Sequence, residues 1–478
     1  MLVHILFVFL SLWIIISRWQ SSKMIRLANQ LKSRYRALPF IGHSYLFLGS
    51  DIALKKIGEQ ALETGGIISH WQGMVADPEV AELVLKNCLE KDDVTKLLKS
   101  LIGNGSIFAP VHVWRPRRKV VALTFSPKNL YHFMKIFSRQ SGVMVDLLRK
   151  TVGSGPVSMW RFFNNYTMDS VCETTLGLSV DAQMRSEQPF LHAFEEVTRI
   201  DAARVFQPWF YNDTLYKMLP LYKDKLLIFN FIFINFNKSS LLNDLPDADG
   251  LKTFLELLIN APNGTKTLNN VELQEETMVL VLAGSDTTAV GASFATLLLS
   301  KHPEVQEDVY QELLEVFGDS NRPVTAEDLP RLKYLEAVIK ETLRLYPPVP
   351  FIVRKVEKDL LLPSGITILE GCGVFVSIWS IHRNRAYWGE DADQFRPERF
   401  IDSALKHPAA FIPFSHGRRS CLGYQYAMMS MKTALASLLR QYRLKPVDDE
   451  DPKKTLRVKY DIMLRHVDNF VVQLESRI

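Results

Sequence analysis

The chain has 478 residues, of which 47 % are hydrophobic and 23 % are charged, and its net charge is +5. This composition predicts a globular protein with a large core and gives no basis for a nucleic-acid partner. No linker-like or repeated segment divides the chain, so we expect one large domain. The cysteines are too scattered for a dense disulfide framework or a paired-cysteine zinc site, and they favour a reducing compartment: Cys88, Cys172, Cys372 and Cys421.

The N-terminus predicts a membrane anchor. The segment from Leu2 to Ile16 is almost entirely apolar, and basic residues follow it while none precede it. A membrane-spanning helix needs about 20 residues, or about 17 at the short end, and continuing through Trp19 reaches that length. A cleaved signal peptide is the alternative, but the segment lacks a small-residue cleavage site and a cationic region ahead of it. We expect an uncleaved anchor at 1–20, a basic, proline-containing hinge at 21–45 and one domain at 46–478.

Helical patterns dominate from about Asp77 to Pro348. A helix predicted after Asp77 has apolar residues at helical spacing. Another helix stops at Gly177, a residue suited to the position after a helix, and should bury the thiol of Cys172.

A long buried helix is predicted in the second half of the chain. Asn269 and Glu272 have the spacing of a capping box, and the helix can continue to about Ser300, just before Pro303. Its sequence is apolar on most sides, and such helices are buried. We therefore expect this helix to cross the middle of the molecule.

The sequence after the long helix predicts a further helix, a strand-rich region and a last helix. Thr325 and Asp328 suggest the start of another helix, which has a buried stripe of apolar residues and ends before Pro347. From Pro350 to Ile381, short β-branched runs broken by turn residues predict strands. A last helix follows Cys421. The fold class is therefore predicted to be mainly α with a small β portion.

Cys421 lies in an unusual loop, "FSHGRRSCLGYQYA". Gly417 and Gly423 flank the cysteine and would allow the backbone to approach a large partner closely. The start of a helix favours a thiolate, and Arg419 offers two parallel donors to a carboxylate. A buried structural cysteine is the alternative. The spacing Phe414-x-x-Gly417-x-Arg419-x-Cys421-x-Gly423, however, resembles the haem-ligand motif of the cytochrome P-450 family.

The resemblance extends to a helix that contains "KETLRLYPP" and to "FRPERF" further along. Glu341 and Arg344 are three residues apart on one helix face and can pair. An isolated pair of this kind is usually solvent-exposed. The resemblance implies instead that Glu341, Arg344 and Arg399 form a buried structural network behind the haem.

The segment "AGSDTT" lies in the middle of the long helix. Gly284 has poor helix propensity and Thr287 can bond to the backbone, so we expect a local distortion of the helix. The alternative is an ordinary helix interior. The resemblance implies that Asp286 and Thr287 are catalytic and deliver protons during O–O bond cleavage.

Four residues resemble the family's haem-propionate contacts. Trp114 and Arg118 are one helical turn apart in "WRPRRK", and Arg354 and Arg419 complete the set. The alternative for this first segment is a basic surface turn. Arg115 and Lys119, which belong to the same segment, are candidates for a basic face that attracts an acidic reductase.

The resemblance implies one haem-thiolate catalytic domain behind the anchor, with haem b bound to Cys421. It is strongest to the branch that contains fatty-acid ω-hydroxylases. Some of those enzymes attach haem through a glutamate ester, but Ala283 occupies that position here, so a non-covalent haem is expected.

The implied activity is a monooxygenase that inserts one oxygen atom from O₂ into an apolar substrate such as a fatty acid, a terpenoid or hormone, or a xenobiotic. Its electrons would come from NADPH through a reductase, with cytochrome b5 as a further candidate donor. We expect a monomer in the endoplasmic reticulum membrane, with the catalytic domain on the cytosolic face. A haem-dependent isomerase or dehydratase of oxygenated lipids is the alternative enzyme.

One departure from the family concerns "HWQGMVADPEV", which runs from His70 to Val80. It leads from the first strand of the N-terminal sheet straight towards a helix. We therefore expect the second strand to be missing, and an inactive haem protein is a third hypothesis.

Overall fold

The computed structural model describes residues 67–69, 73–98, 102–185, 213–224, 252–259, 268–401, 404–447, 455–461 and 463–477, together with isolated positions elsewhere. The predicted anchor at 1–20 and hinge at 21–45 lie outside these ranges.

Helices form most of the described chain, which confirms the predicted fold class. They are α1 (Pro78–Asn87), α2 (Val111–Thr124), α3 (Pro127–Arg149), α4 (Met159–Leu176), α5 (Asp213–Lys217), α6 (Phe254–Ile259), α7 (Asn270–Lys301), α8 (Pro303–Phe317), α9 (Lys333–Leu345), α10 (Ile378–Ile381), α11 (Arg385–Trp388) and α12 (Tyr424–Gln441).

The long helix α7 is the centre of the fold, as predicted. Its capping box is formed: the Glu272 N–H donates to the Asn269 side chain at 2.9 Å, and the Asn269 N–H donates to Glu272 Oε2 at 3.0 Å. The helix is long and apolar enough to span a membrane, but most of it is buried inside the protein. It packs closely on α4, because a Cβ placed on Gly284 would lie 2.7 Å from Val171 Cγ2.

Helix α4 ends where the sequence predicts. Gly177 follows it with φ 71°, a left-handed conformation that glycine adopts without strain. Cys172 on this helix is buried, as expected. Burial raises the pKa of its thiol to about 12, so this cysteine is an unreactive core residue.

The start of α9 differs from the prediction. Asp328 accepts hydrogen bonds from the Thr325 N–H and hydroxyl, both at 2.9 Å, and pairs with Arg322. These bonds close a separate turn that is followed by a short 3₁₀ segment, and α9 begins only at Lys333. The helix thus starts later because the Asp328 carboxylate is already engaged outside it.

The main sheet has four strands in the order β1-β2-β7-β4. They are β1 (Ile67–Ser69), β2 (Gly73–Val75), β4 (Phe351–Lys355) and β7 (Gly373–Ser377). Strand β2 is antiparallel to β1 and parallel to β7, and Met74 lies opposite both Ile68 and Phe375.

The prediction that the second strand is missing is therefore wrong. Strand β2 is only three residues long, but it has hydrogen-bonded neighbours on both sides. Met74 and Val75 belong to β2 and are buried, so even this short strand contributes side chains to the core. The segment from His70 to Asp77 is therefore long enough to include a strand that pairs with both β1 and β7.

Three smaller sheets complete the β portion. Strands β3 (Val157–Ser158), β11 (Val471–Ser476) and β8 (Tyr442–Lys445) form one sheet. The others are the hairpins of β5 (Leu360–Leu361) with β6 (Thr367–Ile368), and of β9 (Val458–Asp461) with β10 (Met463–His466). The predicted strand region that begins at Pro350 is confirmed as far as Ser377, but its last four residues, Ile378–Ile381, form the short helix α10 instead.

Candidate active site

A cavity of about 420 Å³ lies between α7 and the segment 414–423, which we call the cysteine loop. Residues of α2 and β4 and the hairpin of β9 and β10 complete its wall. The cavity brings together Cys421 from one side and Asp286 and Thr287 from α7 on the other. These residues are far apart in sequence, and only the fold makes them neighbours.

The cysteine loop presents the sulfur of Cys421 to this cavity. The Cys421 N–H donates to Phe414 O at 2.8 Å, which closes the loop, and α12 begins at Tyr424. Burial raises the pKa of the Cys421 thiol, while the Gly423 N–H and the Arg118 guanidinium oppose that rise. The helix-start contribution that the sequence predicts is therefore present, but desolvation outweighs it in the free thiol.

The two glycines of the loop are needed for different structural reasons. Gly417 has φ 74°, and a Cβ there would lie 2.9 Å from the Leu85 carbonyl oxygen of α1. Gly423 has φ −83°, and a Cβ there would meet Phe125 and Cys421 only at 3.7 and 3.9 Å. Protein atoms therefore require glycine at Gly417, whereas Gly423 leaves room on the cavity side next to the sulfur.

Buried cations line one edge of the cavity. Arg354 is fully buried and donates to Val353 O, and its Nε has no acceptor among the described residues. Arg419 donates to Ala109 O and stacks 4.5 Å from the centre of the Trp114 ring, but its Nε and Nη1 also lack acceptors in the described part of the chain. Burial lowers the pKa of each guanidinium to about 10.

Such unsatisfied buried donors are costly unless an anion binds them. A planar cofactor with two carboxylates, such as haem, supplies the missing acceptors. The residues of this edge therefore fit the cofactor on chemical grounds.

Arg118 contacts the backbone of the cysteine loop directly. Its Nη1 donates to Ser420 O at 2.8 Å, and its guanidinium is 5.8 Å from the centre of the Trp114 ring. It stabilises the backbone of the cysteine loop as well as facing the cavity.

Lys91 is a cavity residue that sequence reasoning missed. Its pKa lies well below the usual range because it is removed from water and because Arg354 and Arg419 repel it. It belongs to the charged run "LEKDDVTK", which looks like an ordinary solvated surface. No local signal in the sequence distinguishes it from its neighbours.

Asp286 and Thr287 lie on α7 at the cavity wall. The helix is continuous here, so the expected distortion is not formed, and the Thr287 hydroxyl donates to Ala283 O at 2.7 Å. Asp286 is buried, and its Oδ2 is 3.5 Å from Nη2 of Arg465 in β10. No motif in the sequence had pointed to this arginine.

Behind the cysteine loop, the structure brings together Glu341, Arg344 and Arg399. Arg344 donates to both oxygens of Glu341, at 2.6 and 2.7 Å, and both side chains are fully buried. Arg399 Nε is 3.4 Å from Glu341, and Asp391, which the sequence did not suggest, balances the charge at 2.7 Å from Arg399. These residues do not line the cavity.

The thiol, the open space beside Gly423 and the cationic edge define the site of a haem-thiolate protein. Comparison with known proteins agrees. A sequence model of the family Cytochrome P450 matches residues 35–472, so the chain belongs to the cytochrome P450 family and is a haem-dependent monooxygenase. Proteins of this family bind haem through a cysteine thiolate.

Individual relatives cover nearly the whole chain. Cytochrome P450 4d2 of Drosophila melanogaster is 31 % identical over 95 % of this chain and 95 % of its own length. Cytochrome P450 4V2 of Homo sapiens is 29 % identical over 92 % and 90 %, and Cytochrome P450 4c21 of Blattella germanica is 33 % identical over 80 % and 79 %. Their names agree with the branch that the sequence resembles.

Proposed function

We propose that this protein is a membrane-anchored monooxygenase in which Cys421 provides the axial thiolate to haem b. The observation that carries the proposal is a single cavity that is lined both by Cys421 and by Asp286 and Thr287 of α7. When bound, the haem activates O₂ for insertion of one oxygen atom into the substrate, and an electron-rich thiolate favours O–O cleavage.

The protein holds the haem through charge and shape. Arg354 and Arg419 offer their free N–H groups to the propionates, with Lys91 beside them, and Arg118 and Trp114 support the same edge. Phe414, Gly417 and Gly423 shape the loop under the ring. Ala283 has no carboxylate, so the haem is held without an ester bond.

Proton delivery falls to Asp286 and Thr287. The Asp286 carboxylate accepts a proton from the protein side, and the Thr287 hydroxyl can pass one into the cavity when it releases Ala283 O. Both residues line the cavity in which O₂ would be cleaved, which is where protons are needed.

The substrate is an apolar molecule, such as a fatty acid, a terpenoid or hormone, or a xenobiotic. Supporting this, the part of the cavity away from the cationic edge is lined by Phe108, Val279, Leu280, Val349 and Phe351. Such surfaces bind apolar groups through the hydrophobic effect.

Electrons come from NADPH through a reductase, with cytochrome b5 as a second donor. The basic Arg115 and Lys119 on α2 support docking of an acidic partner. The anchor at 1–20 would hold a monomeric catalytic domain on the cytosolic face of the endoplasmic reticulum, where such a reductase and apolar substrates meet.

The test is the difference spectrum of the reduced protein with carbon monoxide. We expect a thiolate-type band that Cys421→Ser abolishes. Cys172→Ser and Cys372→Ser alter buried cysteines outside the cysteine loop and should keep it. A band of imidazole type in the wild type, or a thiolate band that survives in Cys421→Ser, would refute the assignment.

NADPH consumption with an added reductase then separates the candidate enzymes. A monooxygenase consumes NADPH and O₂, whereas an isomerase or dehydratase converts a lipid hydroperoxide without either. Haem that binds without supporting any turnover would indicate the inactive protein.

A further inference from the structure

An arginine from outside α7 reaches the carboxylate that faces the cavity. Nη2 of Arg465 is 3.5 Å from Oδ2 of Asp286, and both side chains are largely buried, with exposed fractions of 16 % and 8 %. A buried carboxylate in an apolar helix is expensive to ionise, and an opposite charge within about 4 Å offsets much of that cost. Arg465 therefore determines how Asp286 can remain charged at this position.

Arg465 is itself held firmly. Its guanidinium lies 3.4 Å from the centre of the Trp160 ring on α4, and Trp160 is buried. The strand that carries it has two neighbours. The Leu464 N–H donates to Pro348 O at 2.9 Å, and Arg465 itself lies opposite Lys459 of β9. The cation therefore approaches Asp286 from a fixed direction, rather than as a mobile surface side chain.

We propose that Arg465 is a positioning residue for proton delivery: it keeps the Asp286 carboxylate ionised and oriented at the cavity wall, ready to accept the next proton. This inference rests on the proposed function. The step itself only moves a proton, which binds a carboxylate oxygen of Asp286 and leaves it for the Thr287 hydroxyl or a water molecule. Arg465 contributes no proton to this step and acts only through its position beside Asp286.

The hairpin gives this arrangement a second consequence. Tyr460 of β9 and Met463 of β10 line the same cavity. The hairpin that contributes to the cavity wall is thus also the element that holds Arg465, two residues beyond Met463.

The test uses the full-length protein with its reductase, NADPH and lauric acid as a probe. Hydrogen peroxide released per NADPH consumed is measured, because peroxide leaves when the second proton arrives late, and this ratio needs no identified product. We expect Arg465→Met to raise the ratio and to slow NADPH turnover about tenfold or more, the range for loss of one charge-assisted contact. Arg465→Lys should restore part of the loss.

Two comparisons make the result specific. Arg457→Met removes an exposed cation just before β9 that pairs with Asp468 at 2.7 Å, and it should leave the peroxide ratio unchanged. Asp286→Asn should raise the ratio at least as much as Arg465→Met. A solvent deuterium isotope effect on NADPH turnover should increase in both Arg465→Met and Asp286→Asn.

The outcomes distinguish failure of the positioning role of Arg465 from failure of the proposed monooxygenase function. If Asp286→Asn raises the ratio and Arg465→Met does not, or if Arg465→Met merely lowers the melting temperature, the positioning role is refuted. If neither variant changes the ratio while the thiolate band is intact, proton delivery through Asp286 is refuted as well. A wild type without the thiolate band would overturn the proposed function itself.

Discussion

His382 should make the protein sensitive to acid. Its imidazole is fully buried, with Nδ1 3.0 Å from Arg344 O and Nε2 2.9 Å from the Ile412 nitrogen. The Ile412 N–H must donate, so Nε2 accepts and Nδ1 carries the single proton. Burial, with added repulsion from Arg344, lowers the pKa of this histidine to about 3.

The sign and size of the effect follow from proton linkage. The unfolded chain takes up a proton near pH 6.5, whereas the folded protein does not until about pH 3. Stability is therefore complete above pH 6.5 and is lost as the pH falls towards 3. Between pH 7.5 and 5 the loss due to this one group is about 2 kcal/mol.

The assay compares urea unfolding of the wild type and His382→Gln at pH 7.5 and 5. Glutamine cannot take up the proton. We expect the variant to lose about 1–3 kcal/mol at pH 7.5 through imperfect hydrogen bonds, but to fall about 2 kcal/mol less between the two pH values. His132→Gln alters an exposed histidine and should reproduce the wild-type dependence. An equal fall in His382→Gln and the wild type would refute a buried neutral imidazole.

Two further substitutions test the structure around the cysteine loop. Glu341→Gln leaves Arg344 buried without its carboxylate and should cost about 3–5 kcal/mol of unfolding free energy in urea. Asp391→Asn alters a carboxylate that is 29 % exposed and pairs with Arg399, so it should cost clearly less; equal costs would contradict the buried network. Gly417→Ala combines a positive φ with a Cβ 2.9 Å from Leu85 O, while Gly365→Ala has φ 81° and free space around it. We expect about 1–3 kcal/mol of strain in both variants but a loss of bound haem, measured by absorbance per protein, only in Gly417→Ala; equal haem content would show that the close approach to α1 is unimportant.

Local rules explain why the long helix could be predicted. The capping box at Asn269 and Glu272, and the glycine that ends α4, act through neighbouring backbone groups and therefore leave a sequence pattern. The cysteine loop could be predicted for a different reason: its spacing resembles a known motif. Both kinds of signal are contained in a short stretch of chain.

The residues that sequence reasoning missed act over long distances. His382 and Arg465 each contact a partner in a remote element, and Lys91 is influenced by the distant Arg354 and Arg419. Each of the three lies in a stretch of ordinary polarity. Strand β2 was missed because its stability comes from β1 and β7 rather than from its own three residues. The false helix start at Thr325 shows the converse, since a capping pattern there is taken up by Arg322.

The charges around the cavity also explain why the cofactor should act as part of the fold. Arg354, Arg419 and Lys91 repel one another at one edge of the cavity. Their removal from water is also unfavourable, because N–H groups of Arg354 and Arg419 have no acceptor among the described residues. Two propionates remove both costs at once, and a ligand that binds only the folded chain stabilises it. The same edge would also orient the cofactor, since the cations of Arg354, Arg419 and Lys91 gather there and would attract its carboxylates. Haem binding should therefore order this edge without help from a covalent bond at Ala283.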